Sequence, residues 1–257
     1  MPWTPGSDAS GVVAATGPGV TGFAEGDAVF GMIRFPDLET GGRAYAEYTT
    51  APAAHLARKP ASVDHVHAAA VPMSGLTAYQ YLFDHVRLPH GRTVLVNGAA
   101  GGVGHFAVQL AKTRGAHVIA VASSRHEAFL RDLGADEYLD YTATPAEDAV
   151  RDADLVVDTV GGPGAHRFLK VVKDGGTISP VFHGDYRREE AARRGIEFRG
   201  GQVHSDGAQM EALAALLEDG TLRAGIDSVH DLADAAKAHE RAERGHIQGK
   251  IVLTVAS

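Results

Sequence analysis

The centre of the chain alternates between short apolar runs and segments whose apolar positions recur at helical spacing. A continuous apolar run at residues 118–122 and apolar-rich runs at 155–160 and 177–182 predict strands that are buried on both faces. Between them, residues 125–133 and 165–172 carry apolar side chains three or four positions apart. Strands that alternate with helices in this order predict a parallel, doubly wound α/β sheet.

The same pattern predicts further elements after the first strands. Helices are expected at residues 145–151, 187–194, 208–217 and 232–244, and strands at 137–140, 196–203 and 251–255. Gly134 follows the helix at 125–133 and is expected to end it. The strand at 196–203 is expected to close the sheet.

The first sixty residues have a different texture. Short strands are predicted at residues 10–16, 28–30 and 44–50, separated by glycine-rich turns, so this part reads as an all-β segment. Residues 64–70 and 74–83 then have helical character, with Pro72 between them.

A glycine-rich turn lies between the predicted strand at 94–96 and an amphipathic helix at 105–114. Ala99, Gly101 and Gly104 fit the dinucleotide-binding pattern, with alanine in the first glycine position. Small residues there allow a sharp turn, close approach to a diphosphate, and tight packing of helix on strand. A purely structural turn is the alternative. The predicted phosphate-binding residues are Gly98, Ala99, Ala100, Gly101, Gly102, Val103 and Gly104.

The end of the second strand of this unit indicates which cofactor is preferred. An NAD site normally has Asp or Glu about 20 residues past the glycine loop, to accept hydrogen bonds from the ribose. Ser123, Ser124 and Arg125 occupy that region, so hydroxyls and a guanidinium are available to a 2′-phosphate and NADPH is predicted. Alternatively, Ser124 caps the next helix and Arg125 is solvated, which is compatible with NADPH.

Composition excludes several classes of function. The 257 residues are 44% hydrophobic and 22% charged, as in an ordinary globular protein, and the net charge of −8 argues against nucleic acid or an anionic membrane as a partner. No apolar run reaches the roughly 20 residues of a membrane helix, and the N-terminus lacks a signal core, so a cytoplasmic protein is expected. Without cysteine and with scattered histidines, no metal site is predicted.

Several motifs occur together in an order typical of one family. They are residues 5–13, 26–29, 75–78, 98–104, 133–136 and 246–253. With these motifs the chain resembles the zinc-free quinone oxidoreductase branch, which includes zeta-crystallin, of the medium-chain dehydrogenase/reductases. Zinc-dependent relatives carry glycine, histidine and glutamate where this chain has Gly6, Ser7 and Asp8. The resemblance therefore implies a reductase without catalytic zinc.

The family architecture implied by the resemblance is a GroES-like β domain interrupted by a Rossmann domain. Residues 1–63 and 221–257 would form the partial GroES-like domain, and residues 64–220 the dinucleotide-binding domain. Family members carry several strands before the segment that opens this sequence. Uncovered sheet edges would favour association, so a homodimer or higher homo-oligomer is expected.

The resemblance also assigns cofactor positions outside the glycine loop. Thr77 would lie near the nicotinamide and Tyr141 near the adenosine phosphate. Further contacts would come from Thr159, Val160, Gly161, Val181, Phe182, His183 and Lys250. Lys250 is a weaker candidate, and the alternative is that it is simply a tail lysine before an edge strand.

The activity implied is hydride transfer from NADPH to a small-molecule quinone or α,β-unsaturated carbonyl. Such chemistry requires orientation of the acceptor and stabilisation of an enolate oxygen, so no catalytic residue stands out in the sequence. Tyr45, Tyr48, Tyr79 and Tyr81 could donate to that oxygen or could serve in packing. The alternative is a redox-inactive cofactor-binding protein, a scaffold or a cyclase that keeps the fold.

Overall fold

The computed structural model describes residues 4–35 and 42–255, which form two compact units. The first unit contains the described residues up to Leu76 and those from Val203 onward. The second unit spans Thr77–Gln202.

The strands of the described chain are short, and most of them lie in the second unit. In chain order they are β1 (Asp8–Val12), β2 (Ala28–Met32), β3 (Leu56–Arg58), β4 (Thr93–Asn97), β5 (His117–Ala122), β6 (Glu137–Asp140), β7 (Ala153–Asp158), β8 (Val172–Pro180), β9 (Glu197–Phe198), β10 (Ile226–Asp231) and β11 (Lys250–Thr254).

The α-helices of the described chain vary in length from about one turn to just over three turns. They are α1 (His65–Ala69), α2 (Pro72–Tyr79), α3 (Gly102–Thr113), α4 (Glu127–Asp132), α5 (Ala146–Ala149), α6 (Arg188–Arg193), α7 (Gly207–Glu218) and α8 (Ala235–Glu243). Several further turns are of the 3₁₀ type, and a π-helical turn, Gln80–His85, continues α2.

The first unit is built on an antiparallel sheet of order β1-β2-β3. Phe30 and Met32 of β2 are fully buried, because β2 is the central strand and its side chains face the core of this unit. Helix α7 packs on β2 and β3, so closely that a Cβ on Gly207 would lie 2.9 Å from the carbonyl oxygen of Leu56 in β3. This packing places α7 in the first unit, whereas the predicted domain boundary assigned residues 64–220 to the dinucleotide domain.

The predicted strand at residues 44–50 is wrong. Residues 45–48 form bends and make no ladder with a neighbouring strand in the described chain. The N–H groups of Ala44 and Tyr45 instead bond to the carbonyl oxygens of Gly6 and Pro5, while Ala46 bonds back to Ala44. These irregular bonds fold the segment against the residues that precede β1.

Two strands of the first unit, β3 and β10, were not predicted from the sequence. β3 is only three residues long and pairs with β2. β10 pairs in parallel with β11, and its burial pattern shows intermediate and exposed positions without an apolar run. Neither strand has the continuous or alternating apolar pattern on which strand prediction depends.

The second unit contains a parallel sheet of order β6-β5-β4-β7-β8-β9. Numbered from β4, this order is 3-2-1-4-5-6, the arrangement of the dinucleotide-binding doubly wound fold. The order reverses between β4 and β7, so the carboxyl ends of these two strands flank the crevice in which such folds bind ligands. The predicted doubly wound α/β sheet is therefore confirmed.

Several elements of this unit are shorter than predicted. Residues 165–170 form a 3₁₀ helix, and the closing strand β9 covers only two residues of the predicted 196–203. In the first unit, Pro72 begins a helix where it was expected to interrupt one, since proline fits the first helical turn. Gly134 adopts φ +95° directly after α4 and its 3₁₀-like end, as expected for a helix stop.

In the described ranges, no helix is both long and apolar enough to cross a lipid bilayer.

Candidate functional site

The glycine-rich loop connects β4 to α3 at the carboxyl edge of the parallel sheet. Gly98 takes φ +72°, so it makes the sharp turn that the sequence pattern had assigned to the position of Ala99. Ala99 is fully buried, and its N–H bonds to the carbonyl oxygen of Val121 at 3.0 Å. Gly101 then forms the N-cap of α3. The predicted strand, turn and helix are all present.

The two later glycines of the pattern have different surroundings. A Cβ on Gly104 would lie 2.2 Å from the carbonyl oxygen of Gly98 and 2.8 Å from the Cα of Ala99, which the backbone cannot accommodate. A Cβ on Gly101 would meet only the Gly98 oxygen, at 3.4 Å. Gly104 is thus required by the packing of helix on strand, while the protein itself leaves the face of Gly101 open to a ligand.

The N-terminus of α3 presents free polar hydrogens at this loop. The first i to i−4 hydrogen bond of α3 runs from the His105 N–H to the carbonyl oxygen of Gly101, at 3.1 Å. The N–H groups of Gly102, Val103 and Gly104 precede it and lack intrahelical acceptors. With no acidic residue in the first turn, the positive end of the helix dipole is uncompensated. These features fit the diphosphate of a dinucleotide.

His105 strengthens the loop in a way that the sequence pattern did not reveal. Its side chain is fully buried, and Nδ1 lies 2.8 Å from the carbonyl oxygen of Gly101. The imidazole also packs against Phe106 and Phe129. A histidine one residue after the glycine motif was the available signal.

The end of β5 carries the residues predicted to select the cofactor. Ser123 is buried and is the N-cap of the 3₁₀ turn Ser124–His126, without a side-chain capping bond. Ser124 lies inside that turn and is exposed, so the alternative in which it caps the next helix is wrong. Arg125 is exposed and forms no ion pair with another described residue. Its guanidinium is therefore available to an anion.

A carboxylate from the neighbouring strand reaches the same region. Asp140, at the end of β6, accepts hydrogen bonds from Thr142 Oγ1 at 2.7 Å and Thr142 N at 2.9 Å. The hydrogen bonds from Thr142, together with one from the Ser124 N–H, lower the pKa of Asp140. Tyr141 follows it, is 46% exposed, and bonds through its N–H to Ala122. Asp140 was not predicted, because it follows the third strand of this unit and the dinucleotide pattern places the carboxylate after the second.

The loop after β7 lies against the glycine turn. Thr159 donates from Oγ1 to the carbonyl oxygen of Asn97 at 2.7 Å, and a Cβ on Gly98 would lie 2.4 Å from that same Oγ1. Val160 is 53% exposed although it is apolar. Gly161 takes φ +66°, and a Cβ there would lie 2.3 Å from the carbonyl oxygen of His183.

The segment after β8 completes this edge. The N–H of Val181 bonds to the Asp158 carbonyl oxygen at 2.9 Å, and the Gly162 N–H bonds to the His183 carbonyl oxygen at 2.9 Å. Phe182 is 63% exposed. The structure therefore brings residues 98–104, 159–161 and 181–183 together at one edge of the sheet, with 123–125 and 141 at the ends of the adjacent strands.

Asp158 was not among the predicted site residues. It is fully buried at the end of β7 and accepts hydrogen bonds from Asn97 and Tyr186, at 2.7 Å and 2.8 Å. Burial and the nearby Asp158 charge raise the pKa of Tyr186 well above its usual range. The available signal was an aspartate inside an otherwise apolar strand.

Lys250 belongs to the first unit, at the start of β11. Its Nζ donates to Ser74 Oγ at 3.1 Å, so it is held in place by a neighbouring side chain. Asp8 lies close by and accepts from the Met73 N–H at 2.9 Å. Burial raises the pKa of Asp8 to about 6, opposed by the charge of Lys250 and by the Met73 hydrogen bond. Thr77, in α2, is buried. The assignment of both Thr77 and Lys250 to the cofactor stays a prediction.

The four candidate tyrosines have different environments. Tyr81 donates to the carbonyl oxygen of Gly201 at 2.7 Å, which is a packing role. Tyr79 packs edge-to-face on Phe83, and Tyr48 is 79% exposed. Tyr45 lies 3.5 Å from His239 Nε2, and burial raises the pKa of its hydroxyl.

Within residues 4–35 and 42–255, no three side chains of the metal-binding types are grouped to hold an ion. The prediction that the protein works without zinc rests on its sequence and stays a prediction.

Fold and site together define a dinucleotide-binding protein of the doubly wound class. Comparison with known families refines this class. The zinc-binding dehydrogenase family matches residues 133–253, and the alcohol dehydrogenase GroES-like domain matches residues 1–61.

Relatives of known name extend over nearly the whole chain. A chloroplast envelope quinone oxidoreductase homolog from Arabidopsis thaliana is 33% identical, over 98% of this chain and 80% of its own length. The mitochondrial NAD(P)H oxidoreductase RTN4IP1 of Danio rerio is 29% identical, over 97% of this chain and 71% of its own. The solved quinone oxidoreductase of Coxiella burnetii superposes with a TM-score of 0.90 at 33% identity, over all of this chain and 80% of that one.

The chain belongs to the medium-chain dehydrogenase/reductase superfamily. Its relatives include quinone oxidoreductases, as the resemblance implied, and a nicotinamide cofactor and oxidoreductase activity follow from that membership.

Proposed function

We propose that this protein transfers a hydride from NADPH to a quinone or an α,β-unsaturated carbonyl compound, without a metal ion. The choice of NADPH is supported by the residues at the end of β5. Ser123 and Ser124 supply hydroxyls there, and Arg125 supplies a guanidinium that has no ion-pair partner among the described residues. Their own strand brings no carboxylate. Guanidinium groups bind phosphate through paired, charge-assisted hydrogen bonds.

The loop residues fit the rest of such a cofactor. The open face of Gly101 and the free N–H groups at the start of α3 would hold the diphosphate. Val160 and Phe182 are exposed apolar side chains at the ends of β7 and β8. Apolar groups in these positions would pack on a flat ring and keep water from it.

The choice of acceptor rests on chemistry shared by two compound classes and on the named relatives. Quinones and enones both contain a carbonyl conjugated to a carbon–carbon double bond, so both accept a hydride and place the resulting charge on oxygen. When bound, NADPH supplies the hydride. The chain would orient the acceptor and donate a hydrogen bond or proton to that oxygen.

The proposal of metal independence rests on the donor set. Zinc-dependent members of the resembled family carry a histidine where this chain has Ser7, and the chain contains no cysteine. Serine hydroxyls are poor zinc ligands compared with imidazole and thiolate. We therefore propose that small-molecule acceptors bind next to the cofactor without being coordinated by a metal ion. A homo-oligomer and a cytoplasmic location remain expectations.

The experiment is to follow NADPH oxidation by the purified protein with a panel of quinones, enones and enoyl thioesters. Turnover with at least one class, and a lower KM for NADPH than for NADH, are expected. Protein that binds NADPH but oxidises it no faster than buffer across the whole panel would overturn the proposal. That outcome would favour the redox-inactive scaffold or cyclase.

A further inference from the structure

Asp158 is a fully buried carboxylate at the carboxyl end of β7. A carboxylate removed from water is costly unless its oxygens accept hydrogen bonds. Oδ1 accepts from Asn97 Nδ2 at 2.7 Å, and from the N–H groups of Val160 and Gly161 at 3.1 Å each. Oδ2 accepts from the Tyr186 hydroxyl at 2.8 Å. Donors from several parts of the chain thus converge on one buried charge.

Each donor belongs to a segment that borders the candidate cofactor edge. Asn97 is the residue directly before Gly98 and the glycine turn. Val160 and Gly161 form the loop after β7. The Tyr186 hydroxyl also lies 3.4 Å from the carbonyl oxygen of Phe182, in the segment after β8. One carboxylate therefore connects all three segments.

These segments are also in direct contact with each other. The Thr159 hydroxyl occupies the space beside Gly98, where a Cβ would be 2.4 Å from Oγ1. The carbonyl oxygen of His183 is equally close to Gly161, at 2.3 Å from a built Cβ. Real hydrogen bonds join the same segments, from Thr159 Oγ1 to the Asn97 carbonyl oxygen at 2.7 Å and from the Gly162 N–H to the His183 carbonyl oxygen at 2.9 Å. A displacement of one loop therefore strains its neighbours, because close-packed groups transmit strain.

We propose that Asp158 is a positioning residue for dinucleotide binding. Its negative charge holds the turn after β4, the loop after β7 and the segment after β8 in the arrangement that the cofactor requires. It does so without touching the cofactor, through Asn97, the Val160–Gly161 amides and Tyr186. This role rests on the proposed function, because the dinucleotide is the ligand whose binding it serves.

Asp154 provides a matched control for a purely structural role. It lies on the same strand, towards the opposite end, and accepts from the Thr93 N–H at 2.8 Å and from Arg92 at 3.1 Å, as well as from Lys173. Asp158→Asn and Asp154→Asn each remove one charge from β7 with little change in size. Only Asp158 is connected to the cofactor edge.

The first measurement is amide hydrogen exchange in the ligand-free protein. In D158N, exchange should be at least about fivefold faster at residues 97–104, 159–162 and 181–186, while D154N leaves these segments unchanged. Unchanged exchange at these segments in D158N, or a uniform increase over the whole second unit, would overturn the positioning role.

The second measurement is the Kd of NADPH and NADH, by the fluorescence of the reduced cofactor. D158N should raise both values at least about tenfold, and D154N less than about twofold, at conditions where each variant is fully folded. Tyr186→Phe removes one hydrogen bond and keeps the charge, so it should raise Kd about threefold and serves if D158N does not fold.

The two proposals fail in different ways. Wild-type protein that binds neither dinucleotide would overturn the proposed function. Normal wild-type binding combined with equal losses in D158N and D154N would overturn only the role given to Asp158.

Discussion

A Cβ atom on Gly104 would lie 2.2 Å from the carbonyl oxygen of Gly98. The first turn of α3 therefore rests directly on the backbone of the turn that precedes it. This contact brings the N-terminus of α3 up to the end of β4, where the helix dipole can act on a phosphate. The glycines of the motif therefore have two different roles. Gly104 is needed for packing of the helix on the turn, whereas Gly101 leaves room for a ligand to approach.

Gly104→Ala should destabilise the protein. The added methyl would overlap backbone atoms of Gly98 and Ala99, which cannot rotate away. We expect a loss of about 1–3 kcal/mol in the free energy of unfolding, measured by urea titration.

Gly101→Ala is the matched control, since its conformation, φ −77° and ψ −179°, suits alanine. It should change stability by less than about 0.5 kcal/mol. It should nevertheless raise the Kd of NADPH about tenfold, because the methyl would occupy the face that a diphosphate approaches. Equal stability losses in the two variants would contradict this division of roles.

Arg125→Ala should weaken the binding of NADPH more than the binding of NADH. The loss specific to NADPH is expected to be about 1–3 kcal/mol, from the missing charge-assisted hydrogen bonds to the 2′-phosphate. Titration of each cofactor by fluorescence measures it. Arg131→Ala is the control, because that exposed arginine of α4 pairs with Glu127. An equal effect of Arg125→Ala on both cofactors would refute the assignment.

Much of the fold could be predicted because its core elements are strongly patterned. The strands predicted at 137–140 and 155–160 and the helix predicted at 208–217 lie in the structure within a few residues of their predicted limits. The segment at 44–50 alternates like a strand but bonds irregularly to Gly6 and Pro5, a tertiary contact that no local pattern reveals. β10 is the opposite case. It pairs with β11, but it was not predicted because its sequence contains no apolar run.

The stability of the first unit should depend on the ionisation of Asp8. Burial raises its pKa to about 6, so the folded state holds this proton more tightly than the unfolded chain does. The associated stability is complete below about pH 4 and is lost as the pH rises through 6. Asp8→Asn avoids this loss. Relative to wild type, its free energy of unfolding should therefore rise by about 1–3 kcal/mol between about pH 4 and pH 7.

Asp27→Asn should behave with the opposite sign. The hydrogen bond from Arg58 lowers the pKa of Asp27, so its stabilisation is present at neutral pH and is lost on acidification. At neutral pH, the free energy of unfolding of this variant should be lower than that of wild type. In acid, the two values should become similar. Urea titrations at several pH values test both variants, and a pH-independent difference for Asp8→Asn would contradict the role of burial.

Tyr81→Phe should lower stability without affecting turnover. The Tyr81 hydroxyl donates to the Gly201 carbonyl oxygen, which loses its partner when the hydroxyl is removed. We expect a cost of about 1 kcal/mol and a kcat within about twofold of wild type. The exposed Tyr48, changed to Phe, should alter neither. A tenfold or larger loss of kcat at unchanged stability would instead identify Tyr81 as a proton donor.

The candidate site was predictable where chemistry requires a local sequence pattern. The glycine loop and the Ser123–Arg125 segment each occupy consecutive positions, so spacing alone located them. Asp158, Asn97 and Asp140 act through contacts between different strands, and such contacts depend on the order of strands in the sheet. His105 combines both situations. Its position next to the glycine motif is visible in the sequence, but its burial and its contact with Gly101 are visible only in the structure.

The central claim is hydride transfer from NADPH to a conjugated acceptor, and isotope transfer tests it most directly. The protein is incubated with an enone and NADPH that carries deuterium at C4 in either configuration, and the product is analysed by mass spectrometry. One of the two labelled cofactors should deliver deuterium to the β-carbon of the product, with the other giving unlabelled product. Consumption of the enone without deuterium from either cofactor, or binding of NADPH without any reduced product, would contradict the account.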